Sequence, residues 1–170
     1  MDWEFALLYG LQEMHNPMLD KIMVALSTLG NAGTVWILTG VLLLFTKEHK
    51  KAGVQMLAAM AFVFVVGNLI LKNLAARDRP CWIDPGVALL VKSPGDYSFP
   101  SGHTMNGFVS AVSLFCIDRR TWPALLLAGA IAFSRLYLFV HFPTDVLAGL
   151  VIGVGAALLV DDVFRKKNWK

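Results

Sequence analysis

Residues 121–160 read TWPALLLAGAIAFSRLYLFVHFPTDVLAGLVIGVGAALLV. Two apolar runs, 121–140 and 146–160, flank a short polar turn; the first run carries a single charge, Arg135, and the turn carries His141 and Asp145. Each run is long enough, or nearly so, to cross a bilayer, which takes about 20 residues. Ionisable residues beside such runs are costly to keep, so a functional site is the default expectation.

Working outward, uncharged runs recur at 22–46 and 52–71, and again at 97–117, where His103 is the one interruption. The chain has 170 residues, 56% of them hydrophobic and 16% charged, with a mean hydropathy of +0.60. Soluble domains carry about 25% charge. These features exclude a soluble domain and predict an all-α polytopic membrane helical bundle of about five to six transmembrane helices, five by the apolar runs. The start, Met1-Asp2-Trp3-Glu4, lacks the basic residues and cleavage site of a signal peptide. Segments 3–14 and 17–28 mix apolar and charged positions, which predicts interfacial helices with Trp3 and Tyr9 among the headgroups. The expected organisation is an N-terminal interfacial segment, 1–28, and a membrane-embedded domain, 29–170. Cys81 and Cys116 lie at opposite ends of a span, too far apart for a disulfide.

Lys47, Lys50, Lys51, Arg119, Arg120, Arg165, Lys166, Lys167 and Lys170 fall in two loops and the C-terminus. With about five spans all three segments share one side, which the positive-inside rule makes cytoplasmic. Three clusters then open on the opposite face: Lys72 with Arg79-Pro80, Pro100-Ser101-Gly102-His103, and Ser134-Arg135 with His141 and Asp145. The 77–99 loop between the first two is punctuated by Pro80, Pro85, Gly86, Pro94 and Gly95 and is expected to be irregular.

Lys72, Arg79 and Arg135 supply three positive charges, and guanidinium and ammonium groups are the usual partners of phosphoryl oxygens. Taken singly, Lys72 or Arg135 is equally a basic side chain snorkelling toward headgroups. Ser101 suits an N-cap, and the first-turn N–H groups after it form an anion cradle that Gly102 lets a ligand approach. His141 and Asp145 stand at i, i+4, where a carboxylate can hold Nδ1–H and leave Nε2 free to attack. Taken without the other clusters, the pair is more simply a helix N-terminus where Asp145 complements the dipole. His103 has the reference pKa, about 6.5, of a general acid. No metal or cofactor is expected, since His15 and His49 lack partners at ligand spacing and no carboxylate cluster suits Mg²⁺. The small-residue face at Gly149 and Gly153 predicts close helix packing, or, more weakly, dimerisation.

Lys72-(six residues)-Arg79-Pro80, Pro100-Ser101-Gly102-His103 and Ser134-Arg135-(five residues)-His141-(three residues)-Asp145 resemble, in order, the three motifs of the type 2 phosphatidic acid phosphatase superfamily. The resemblance covers roughly residues 53–160. It implies a metal-independent membrane lipid phosphatase in which His141 takes the phosphoryl group, Asp145 orients it and His103 protonates the leaving group. Lys72, Arg79, Ser101, Gly102 and Arg135 would hold the phosphate. Small bacterial relatives dephosphorylate undecaprenyl pyrophosphate, phosphatidylglycerophosphate or phosphatidate, and an isoprenyl diphosphate is the favoured expectation. Members with six spans carry one more N-terminal helix than the apolar runs here show. The implied setting is the bacterial cytoplasmic (inner) membrane, multi-pass, with the site on the extracytoplasmic side. The expected partners are the bilayer and a lipid substrate, with no nucleic acid. Soluble vanadate-dependent haloperoxidases share the motifs, and a lipid-binding or lipid-moving protein could grip headgroups with the same cations.

Overall fold

Pro17, Pro80, Pro123 and Pro143 each begin a helix, where the missing proline N–H is one that no helical carbonyl would have claimed. The structure, a computed structural model, describes residues 2–166, so Lys167 and Lys170 of the basic C-terminus lie outside the described residues. In chain order the helices are α1 (Asp2–Gln12), α2 (Pro17–Leu29), α3 (Thr34–Leu44), α4 (Lys50–Val63), α5 (Lys72–Ala75), α6 (Pro80–Ile83), α7 (Gly102–Ile117), α8 (Pro123–Tyr137) and α9 (Pro143–Lys166). A π-helical stretch, Phe64–Leu71, joins α4 to α5, and the described residues contain no strand. The all-α membrane bundle is the architecture found.

The spans differ in detail from the apolar runs. Lys50–Ile83 and Pro143–Lys166 are long and apolar enough to cross a membrane, and α2 with Asn31–Leu44 makes a third such unit, bent by 46°. The bend falls inside the expected 22–46 run because Ala32 (φ 52°) and Gly33 (φ 69°) are left-handed, which interrupts the α-helical ladder. The 17–28 segment forms the first limb of this bent pair. The α7 and α8 helices have 16 and 15 residues, about 24 and 22 Å at 1.5 Å per residue, short of the expected runs at 97–117 and 121–140. The missing lengths, 97–101, 121–122 and 138–140, lie outside the two α-helices, and 97–101 and 138–140 belong to the end of the bundle that carries the three clusters.

The bundle is centred on α7, which packs most extensively on α9. A Cβ on Gly149 would lie 2.8 Å from the Ser101 carbonyl oxygen, and one on Gly153 would lie 2.8 Å from that of Met105. Backbone therefore meets backbone there, the close packing read from the small-residue face. Trp36, Met56, Val63, Val109 and Ile131 fill the centre, and Leu8, Tyr137, Phe139 and Phe142 form a second cluster at the end that carries 138–140. On the outside, Leu42, Leu69, Leu126, Leu147 and Val151 are each more than half exposed. Such an apolar surface suits hydrocarbon rather than water.

Candidate active site

The same end of the bundle holds an open cavity of about 1050 Å³. Phe64, Asn68 and Lys72, spaced four apart through the π-helical stretch, line one wall; π-helical turns occur often at functional positions. Arg79 enters from the residue before α6, Gly102 and His103 from the first turn of α7, Arg135 from the last turn of α8, and His141 from the turn before α9. Six of the eight residues expected at the site thus line one cavity. Asp145 and Ser101 are fully buried behind it. Ser101 precedes α7 but makes no side-chain cap; its Oγ accepts from Thr104 Oγ1 at 2.9 Å, and its N–H donates to the Asp145 carbonyl at 3.0 Å.

His141 and Asp145 are linked less directly than the i, i+4 spacing suggests. Nδ1 lies 3.5 Å from Asp145 Oδ2, and the Ser98 hydroxyl stands 3.4 Å from Nδ1. Ser98 Oγ donates to Asp145 Oδ2, which also accepts from the Phe142 N–H at 2.8 Å. With its own proton committed to the carboxylate, Ser98 can only accept from His141 Nδ1–H, which puts the proton on Nδ1. Nε2 is then the lone-pair atom and accepts from Arg79 Nη1 at 3.2 Å. Burial first, then the charges of Arg79, Arg135 and Lys72, holds the His141 pKa well below its ordinary value. The imidazole is neutral and its free nitrogen faces the cations.

Among those cations stands a carboxylate. Asp96, in the irregular loop, accepts from Lys72 Nζ at 2.5 Å and from Arg79 Nη2 at 2.7 Å, while its main-chain oxygen accepts from Arg79 Nε at 2.6 Å. Burial would raise its pKa, but the hydrogen bond and charge of Lys72 and the charge of Arg79 prevail and hold it at about 2. The loop is held in turn by Trp82 Nε1 donating to the Pro94 carbonyl at 3.1 Å and by the Ser98 N–H donating to that of Arg77 at 2.8 Å. Arg135 donates from Nη1 to Ser27 Oγ, and its buried Nε has no protein acceptor. An orphaned guanidinium donor at a cavity wall suits an anionic ligand.

The N-terminal helices supply side chains that the sequence pattern does not reveal. His103 Nε2 lies 3.0 Å from Asn31 Oδ1, in the break between α2 and α3. A Cβ on Gly30 would come within 2.8 Å of the His103 ring, so the break makes room for the imidazole. Ser27, buried, lines the cavity beside Arg135, and Glu4, also buried, sits behind it. Ser98, Arg77, Asp96, Asn31, Ser27 and Glu4 carry no spacing signal, because their partners are distant in sequence. His15, without a partner in the sequence, stacks on Tyr137 at 4.2 Å between ring centroids. Among the described residues no group of three or more His, Cys, Asp or Glu is placed to hold a metal.

The chain is 34% identical over 137 residues to an undecaprenyl-diphosphatase of Sulfolobus acidocaldarius, covering 79% of this chain and 66% of the relative. It is 30% identical over 165 residues to a lipid A 4'-phosphatase of Bacteroides thetaiotaomicron, covering 89% and 72%. The chain therefore spans about two thirds of the length of the first of these relatives. The crystal structure of a transmembrane PAP2-type phosphatidylglycerolphosphate phosphatase from Bacillus subtilis superposes with a TM-score of 0.81 at 27% identity, covering 97% of this chain and 86% of that one. The model of the PAP2 superfamily matches residues 52–169. With its three motifs gathered around one cavity in a membrane helical bundle, the chain belongs to the PAP2 superfamily.

Proposed function

We propose that the chain hydrolyses the phosphate or diphosphate headgroup of a membrane lipid through a phosphohistidine on His141. The observation that carries this reading is His141 Nε2, 3.2 Å from Arg79 Nη1 in a cavity that Lys72 and Arg135 also line. In the first half-reaction Nε2 attacks phosphorus, the P–O bond to the leaving oxygen breaks, and His103 gives that oxygen its proton. In the second, water attacks the phosphohistidine, the N–P bond breaks, and the water's proton returns to His103 as inorganic phosphate leaves. Asp145 acts through Ser98 on Nδ1, and the three cations neutralise the phosphoryl oxygens, whose charge is the main burden of such transfers. Phosphate binding displaces the Asp96 carboxylate from Lys72 and Arg79.

An isoprenyl diphosphate is the favoured substrate, a reading supported by the similarity to an undecaprenyl-diphosphatase. The basic loops support a bacterial cytoplasmic membrane location with the site on the extracytoplasmic side. The test is phosphate release by purified protein, with EDTA present, from undecaprenyl diphosphate, phosphatidylglycerophosphate and phosphatidate. Release is expected from at least one lipid, with an acid-labile phosphoenzyme trapped in the wild type and absent in His141→Ala. Silence on all three, where a PAP2 relative is active, overturns the reading. Headgroup binding without turnover would instead mark a lipid-binding protein, and vanadate-dependent bromide oxidation a haloperoxidase.

A further inference from the structure

Arg77 lies two residues before Arg79 but points away from the cavity, into the packing behind His141. Its Nη1 donates to Asp145 Oδ1 and to Thr144 Oγ1, both at 2.6 Å, and its Nη2 donates to Glu4 Oε2 at 2.7 Å. The guanidinium rests over the Phe142 ring, 4.1 Å from its centroid. Glu4 Oε1 accepts from the Thr144 hydroxyl at 2.7 Å and from its N–H at 3.3 Å. The side chains of Glu4 and Asp145 are 5% and 0% exposed. Two buried carboxylates thus share one cation, and the first helix of the chain is tied to the turn that presents His141.

The consequence follows from hydrogen-bond polarity. Asp145 Oδ2 is occupied by Ser98 and the Phe142 N–H, and Oδ1 by Arg77. Without Arg77, a carboxylate with no exposure would be left with an uncompensated charge, a state that is strongly disfavoured and is relieved by taking up a proton. A protonated Asp145 can donate toward Ser98. Ser98 is then free to donate to His141 Nδ1, the proton on the ring moves to Nε2, and the attacking lone pair is lost. We propose that Arg77, held in place by Glu4, is a positioning residue that keeps Asp145 a pure acceptor and so keeps His141 with its proton on Nδ1. This rests on the reading of His141 as nucleophile.

The experiment uses the full chain in detergent, with farnesyl diphosphate as the soluble probe and ¹⁵N-histidine NMR as a readout that needs no turnover. The His141 signals are assigned by their loss in His141→Asn. In Arg77→Ala, kcat is expected to fall about 10- to 100-fold, the range that orienting partners of functional histidines carry, with KM within about twofold of wild type. The ¹⁵N shifts should move from the Nδ1–H pattern to a mixed or Nε2–H pattern. Arg77→Lys, which keeps the charge, should restore the Nδ1–H pattern and most of kcat. If Arg77→Ala does not fold, Arg77→Lys against Arg77→Gln carries the test, with the Nδ1–H pattern expected in Lys alone. The proposal is overturned by unchanged ¹⁵N shifts, by a kcat within twofold of wild type, or by a rise confined to KM, which would make Arg77 a substrate contact. If the wild type hydrolyses nothing, the phosphatase reading falls, while the ¹⁵N shifts still decide whether Arg77 sets the tautomer.

Discussion

Replacing Asp96 by Asn tests whether the loop carboxylate competes with phosphate for the same cations. Asn keeps the side-chain shape and removes the charge that bridges Lys72 Nζ at 2.5 Å and Arg79 Nη2 at 2.7 Å. The fall of the Asp96 pKa from 3.8 to about 2 corresponds to about 2.4 kcal/mol at 1.36 kcal/mol per pH unit. The side chain is 57% exposed, and solvent screening reduces that figure by about half, to about 1 kcal/mol. An incoming phosphoryl group must offset that interaction, so its removal should tighten anion binding about fivefold. The assay is the inhibition constant of orthovanadate against phosphate release from farnesyl diphosphate. Because the Asp96 pKa lies near 2, far below the assay range, the ratio of wild-type to variant constants should stay flat between about pH 5 and 8. The same lowered pKa means that its contribution to folding is complete above about pH 4 and is lost as pH falls through about 2. A constant that weakens in Asp96→Asn would refute the competition and show that Asp96 instead organises Lys72 and Arg79. An unchanged constant would place it outside the anion site.

Ser98→Ala removes the hydroxyl between His141 Nδ1 and Asp145. A hydrogen bond to a charged group is worth about 1.5–3 kcal/mol, so kcat should fall about 10- to 100-fold with KM little changed, as steady-state kinetics will show. His141 stays neutral in the folded chain, its pKa held well below the ordinary value, whereas the unfolded chain takes up a proton near pH 6.5. Stability should therefore fall as pH drops below about 6.5, by up to about 1.4 kcal/mol per pH unit. Thermal unfolding of His141→Asn should lose that slope. Two glycines on α9 should respond with opposite signs. A Cβ at Gly153 would meet the Met105 carbonyl at 2.8 Å and the Val109 nitrogen at 3.1 Å, whereas one at Gly155 has nothing within 4 Å. Gly153→Ala should lower Tm by about 2–10 °C, from an overpacking cost of about 1–3 kcal/mol. Gly155→Ala should raise it by about 2 °C through helix propensity.

The helical class, the apolar runs and six of the residues that line the cavity were legible in the chain because each is a local signal. Lys72 and Arg79 fall seven apart near a proline, His141 and Asp145 fall one helical turn apart, and the Gly149 and Gly153 face repeats at the spacing that close packing needs. What the apolar runs could not show is where helices stop. Residues 97–101 and 138–140 carry no charge and continue the uncharged runs, yet they leave the helical path. Only tertiary structure decided how His141 and Asp145 communicate. Ser98 comes between them from a loop more than 40 positions away, and Arg77 and Glu4 brace Asp145 from behind. Only tertiary structure put Asp96 between Lys72 and Arg79, or gave His103 its contact with Asn31 at the break between α2 and α3. The physical reason is the same in each case. Apolar periodicity and motif spacing record what a residue needs from its near neighbours along the chain. A buried charge is satisfied by whichever group the completed fold brings to it, and that partner leaves no mark on the local pattern.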